Sequence, residues 1–133
     1  MGTKMELELE KHPTGYRVGS FVDNAIMIGG VLYTTSLIVT PEQVVRDWPP
    51  QNPDQLTNDD FTTILDLEPE LILIGTGNEL RFPDPVILKG IIRAGIGIDF
   101  MGSHAVCRTY NILAAEGRRV AAGIIINRTM KAR

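Results

Sequence analysis

Three short runs in the second half of the chain, Leu71–Ile74, Ile96–Phe100 and Val120–Ile126, are dominated by apolar residues. A strand with one wet face alternates apolar and polar residues, whereas a run that does not alternate must be covered on both faces. Between the runs stand two segments with helical spacing. In the first, Asp84 and Pro85 read as cap and first turn, Ile87, Ile91 and Ala94 share a face, and Gly95 is the stop. In the second, Ser103 reads as the cap, Val106, Tyr110 and Leu113 as the inner stripe, and Gly117 as the stop. Short buried strands alternating with helices define a mainly parallel sheet with right-handed crossovers, so the three runs are expected to be neighbours in one sheet.

Upstream the pattern changes. Met5, Leu7 and Leu9 alternate with Glu6, Glu8 and Glu10, the period of a half-buried strand. Tyr16, Val18, Ser20 and Val22 are expected on one face of a second strand, with Gly15 and Gly19 at its ends or in a bulge. Ala25–Ile28 and Val31–Val39 flank Gly29-Gly30, a hairpin signal because glycine takes positive φ freely. Thr40, Pro41 and Gln43 mimic a helix start, yet Val44 and Val45 favour a strand and Pro49-Pro50 stops either, so Thr40–Trp48 is read as extended. Thr57 with Asp60 forms a capping-box pattern ahead of Phe61, Ile64 and Leu65, and that helix must end before Pro69. The expected fold is α/β, one domain over residues 1–133. Its β-rich N-terminal meander or hairpin layer either joins the central sheet or covers one face of it.

Charge and cysteine content narrow the functional classes. Thirteen basic against sixteen acidic residues leave a net charge of −3, which argues against nucleic-acid binding and a polybasic membrane anchor. A single cysteine allows no internal disulfide and no thiolate zinc site. The N-terminal MGTKMELELEKH has neither the apolar core of a secretory signal nor the arginine-rich character of a transit peptide. No apolar run is long enough to span a bilayer. The expected location is cytoplasmic, without membrane insertion.

Two places could carry chemistry. Gly75-Thr76-Gly77 follows the first buried strand, at the carboxyl edge where open α/β sheets bind ligands. Leu80 stands where a dinucleotide fingerprint needs its third glycine, and no Walker pattern is present, so the plain account is a tight turn with positive φ. The second place is MGSHAVCRTYN, residues 101–111. Ser103 and His104 sit at a helix N-terminus, Cys107 one turn in and Arg108 beside it. Helical spacing puts Cys107 near the inner stripe and Arg108 towards the far side, so Cys107 reads as core rather than an activated thiol. His104 and Cys107 at i, i+3 are poorly placed for a nucleophile–base pair, and His12 reads as a surface histidine. No catalytic residue, metal set or cofactor is indicated. If both strands run parallel, the two turns meet at one sheet edge. The candidate ligand-binding set is then Gly75, Thr76, Gly77, Ser103, His104, Cys107 and Arg108, with a small anion held by Thr76, Gly77, Ser103 and His104.

Four segments carry a family resemblance: GSFVDNAIMIGG at 19–30, VTPEQVVRDW at 39–48, LILIGTGNELRFP at 71–83, and GIGIDFMGSHAVCRTYNILAAEGRRVAAGIII at 95–126. The most specific are CRTYN and EGRRVAA. Together they resemble the small-domain family of the mitochondrial respiratory complex I assembly factor and an adipogenesis-associated cytosolic protein. The resemblance implies three layers around a mixed central sheet. It implies no enzymatic activity, and it suggests a non-enzymatic binding or assembly module whose partner is another protein or a membrane-complex subunit. The alternative is a binder of a small anion or metabolite, or an enzyme of unassigned reaction, at the two turns. Relatives carry an acidic and a hydroxyl residue just ahead of the last helix; here Gly102 and Ser103 stand there.

Overall fold

Two turns with positive φ at both central residues make the N-terminal part a meander. Asp23 and Asn24, at φ 53° and 56°, join β1 (Val18–Val22) to β2 (Ala25–Ile28). Gly29 and Gly30, at 56° and 79°, join β2 to β3 (Val31–Tyr33). Both pairings are antiparallel, and such turns match the natural twist of a hairpin. The computed structural model describes residues 15–127; the expected strand at Met5–Glu10 and His12 lie outside the described residues.

The register of β1 shifts between Val18 and Phe21, so Val18 and Phe21 are buried while Ser20 and Val22 face out. The expected single face of Tyr16, Val18, Ser20 and Val22 is thereby corrected: an extra residue in the strand resets the alternation. The run expected to reach Val39 unbroken is two strands. After Tyr33 the chain leaves this sheet, and β4 (Leu37–Val39) enters another, followed by β5 (Val44–Val45). Thr40 does act like a cap, its hydroxyl accepting the amides of Glu42 and Gln43 at 3.1 Å each. No helix follows, because Val44 and Val45 pair with β4 instead.

The capping box forms as expected. Thr57 Oγ1 accepts the Asp60 amide at 3.3 Å and the Asp60 carboxylate accepts the Thr57 amide at 2.9 Å, opening α1 (Asn58–Leu65). Then come β6 (Leu71–Gly75), a 3-10 turn at Pro85–Leu88 leading into α2 (Lys89–Ala94), and β7 (Gly97–Met101). The chain ends its regular structure with α3 (Ser103–Ala115) and β8 (Val120–Ile124). Gly95, at φ 73°, closes α2.

The large sheet has the order β5-β4-β8-β6-β7. β6 runs parallel to both β7 and β8, while β4 runs antiparallel to β8 and β5, so the sheet is mixed. One face packs Leu73 and Ala122 against Val106 and Tyr110 of α3 and against Phe21, Ile26 and Ile28 of the meander. The other packs Ile72, Ile74 and Ala121 against Trp48, Phe61, Ile64 and Ile91. The meander sheet therefore covers a face of the central sheet together with α3, and α1 and α2 form the third layer. The three runs are neighbours as expected, but β7 is an edge strand and leaves Gly97 and Asp99 exposed.

Small residues in β8 admit a large one from above. Trp48 is 3% exposed and donates Nε1–H to the Asp60 carbonyl at 3.2 Å. A Cβ added at Gly123 would lie 2.7 Å from its ring and 3.2 Å from Ile74. Among the described residues no helix is long and apolar enough to cross a membrane. Gly123→Ala should lower unfolding stability by about 1–3 kcal/mol in urea titrations, the usual size of an overpacking penalty. An unchanged midpoint would show that Trp48 is not seated against this strand.

Candidate functional site

Parallel β6 and β7 deliver the two expected turns to one edge, where they fasten to each other. The Gly77 amide donates to Ser103 Oγ at 2.9 Å, and the Ser103 amide donates back to the Gly77 carbonyl at 2.8 Å. The Thr76 amide donates to the Met101 carbonyl at 3.0 Å. A Cβ at Gly75 would stand 2.9 Å from Ser103 Oγ, so the close approach selects glycine there. Gly77 needs glycine for a different reason: its φ is +93° and nothing lies within 4 Å of a Cβ built on it. A larger residue there meets backbone strain, not a crowded pocket.

Ser103 is not the helix cap. Gly102 holds that position, and the Ser103 hydroxyl, fully buried, reaches back to the turn. The Thr76 hydroxyl donates to the Glu79 carbonyl at 2.6 Å and accepts the Arg81 amide at 3.3 Å, shaping the start of the β6–β7 connection.

The seven candidate residues separate by place. Gly75 and Ser103 are buried in the junction. Thr76 and Gly77 line an open cleft of about 280 Å³ together with Asn24, Asn52, Arg81 and Asn127. His104 is exposed and does not line that cleft, its ring edge-on to Phe21 at 5.6 Å. Arg108 is exposed further along α3. Cys107 is 6% exposed, and burial pushes its thiol up to about 11, away from nucleophilic chemistry at neutral pH. Among the described residues no cluster of three or more histidine, cysteine or acidic side chains could hold a metal ion.

The signature residues turn out to be fasteners that spacing alone did not reveal. Tyr110 donates its hydroxyl to the Tyr16 carbonyl at 2.9 Å, and burial pushes its phenol well above the ordinary range. Asn111 accepts the Val18 amide at 2.9 Å and donates to the Val18 carbonyl at 2.8 Å, standing in for a neighbouring strand beside β1. Glu70 accepts the Arg119 amide at 3.0 Å and Arg118 Nε at 2.8 Å; the first of these and then the second hold its carboxyl below the usual range.

Sequence reasoning also passed over the connection between β6 and β7. Leu80, Phe82, Val86 and Ile92 are 53%, 66%, 51% and 69% exposed. Phe82 leans on Phe100 of β7, ring centroids 5.7 Å apart. The signal was available: Val86 and Ile92 fall off the inner stripe set by Ile87 and Ile91.

Residues 18–125 match the model of a family described as proteins of unknown function (DUF498/DUF598), and the chain belongs to that family. Mouse NADH dehydrogenase [ubiquinone] 1 alpha subcomplex assembly factor 3 is 26% identical over 125 residues, covering 92% of this chain and 67% of that protein. The 13 kDa major membrane protein of Francisella tularensis is 47% identical over 62 residues, 47% of this chain and 50% of that protein. The chain thus matches about half the length of that relative. Among solved structures, a Bordetella parapertussis protein is 32% identical with a TM-score of 0.78, covering 84% of this chain and 95% of that one. A Bordetella pertussis Mth938-like domain is 26% identical with a TM-score of 0.77, covering 91% and 92%.

Ser103→Ala removes the acceptor of the Gly77 amide. It should cost about 0.5–1.5 kcal/mol, the net worth of a hydrogen bond whose part-buried donor water can reach from the cleft, and speed hydrogen exchange at Gly77. Unaltered exchange there would mean the lock does not hold the turn. Thiol reagents should label native Cys107 slowly at neutral pH, with the rate climbing only towards pH 11. The unfolded chain should react as an ordinary thiol of pKa ~8.5. Equal rates for the two states at neutral pH would place the thiol at the surface.

Proposed function

We propose that the chain is a non-enzymatic docking or assembly module that holds a protein partner on the β6–β7 connection. The observation that carries this reading is the set of four exposed apolar side chains, Leu80, Phe82, Val86 and Ile92, gathered on one connecting segment. Apolar side chains scattered singly need no explanation, but several concentrated on one segment mark a contact surface. The segment starts from a fixed base, since the Gly77–Ser103 bonds tie its first turn to α3. A surface held in place before binding loses less freedom on association. The naming of relatives as complex I assembly factors supports the same class of role, with a membrane-complex subunit as one kind of partner.

The test is photocrosslinking in cells, with a benzophenone amino acid placed at position 82 or 92, or at Glu116 as an exposed position elsewhere. A discrete adduct from 82 and 92, missing from 116, is expected. Ile92→Glu should reduce the adduct from position 82 several-fold while leaving the fold intact. The same adducts from all three positions, or none from 82 and 92, would sink the proposal.

A further inference from the structure

The two edges of the large sheet differ. β5 is two residues long, and the chain turns away from it through Asp47, at φ 59°, towards Pro49-Pro50. Such a short, broken edge cannot template another strand. β7 is five residues long, contains no proline, and pairs in unbroken register with β6 on one side only. The Met101 carbonyl faces β6, where it accepts the Thr76 amide. Backbone groups alternate sides along a strand, so those of Ile98 and Phe100 point away from β6. Among the described residues no strand pairs with them there.

The side chains along this edge differ by face. Ile98 and Phe100 belong to the cluster beneath α1 and α2, where Phe82 leans on Phe100. Asp99 lies in register with Leu73, on the α3 face, and is exposed. It enters none of the ion pairs found among the described residues. An acidic residue in the middle of an open edge disfavours pairing with a second copy. The antiparallel register using both outward residues, Ile98 against Phe100 of the other copy, sets Asp99 directly opposite Asp99. Directly opposed side chains have Cβ atoms ~4.5–5.5 Å apart, and like charges at that separation repel.

We infer that β7 is the docking strand for an extended segment of another protein, with a lysine or arginine opposite Asp99 and apolar residues on either side of it. Added strands gain affinity from main-chain hydrogen bonds and specificity from alternate side chains. Here the apolar residues fall on the Phe82 and Phe100 face and the basic one on the Asp99 face. The inference rests on the docking reading above and names the chemistry of its partner.

The test uses two capped heptapeptides of alternating Val and Thr, one with a central Lys and one with a central Glu, titrated into the full chain. The readout is NMR hydrogen exchange at Ile98 and Phe100. The Lys peptide should slow exchange at both amides and bind roughly tenfold more tightly than the Glu peptide, as expected when an opposite-charge pair replaces a like-charge pair. Asp99→Lys should reverse the preference, and Asp99→Asn should abolish it. Protection without charge preference, or none at millimolar peptide, would overturn the inference. So would amides already protected in the protein alone: a concentration dependence would identify a second copy, and its absence a segment of the same chain. If crosslinks from position 82 persist while β7 stays unprotected, the docking reading stands and only the strand-addition inference falls.

Discussion

Everything in this fold follows from two strands that must be dry on both sides. β6 directs Ile72 and Ile74 into one apolar cluster and Leu73 into the other, and β8 divides Ala121 and Ala122 in the same way. Neither strand could sit in a two-layer protein without leaving one row of aliphatic side chains in water. Each buried aliphatic side chain contributes about 1.5–3 kcal/mol relative to exposure, so covering both faces outweighs any single polar contact described here. The meander with α3 supplies one cover, and α1 with α2 supplies the other. Polar fasteners then fix how the covers sit. Asn111 and Tyr110 tie the meander to α3, and Trp48 reaches across β8 to α1.

At the carboxyl edge, a familiar ligand position also serves as a joint. Glycine turns and helix starts at this edge commonly receive anions. Here the Ser103 amide is spent on the Gly77 carbonyl and the Gly77 amide on the Ser103 hydroxyl. Those two amides are directed inward, while Thr76 and Gly77 still line an open cleft with Asn24, Asn52, Arg81 and Asn127, and the connection from Leu80 to Ile92 carries exposed apolar side chains.

Local signals were readable wherever their cause was local. Thr57 and Asp60 cap α1, Gly29-Gly30 turns the hairpin and Gly95 stops α2, each by interactions within a few residues. The bulge in β1 was hinted at by Gly19, but nothing in composition says which side of it the alternation resets; Phe21 was missed for that reason. Ser103 read as a cap because serine at a helix start usually is one, and its true partner is decided by a turn 26 residues away. Tyr110 and Asn111 bond to backbone 94 and 93 residues distant, beyond any periodicity. Whether Ile96–Phe100 lies at an edge depends on strand order, which its own residues do not encode.

β8 is the last strand in the described chain, yet it lies in the middle of the sheet, with β4 on one side and β6 on the other. Leu37 meets Ile124 across the first junction, and Leu71 meets Val120 across the second. Before β8 arrives, β5–β4 and β6–β7 are two separate ribbons with nothing between them. A chain emerging from the ribosome N-terminus first therefore displays two unfinished hydrogen-bonding rims until β8 is released. Folding of such a sheet is governed by distant pairings and is correspondingly slow. Until β8 pairs with both, each ribbon offers an open edge of the kind that other chains can pair with.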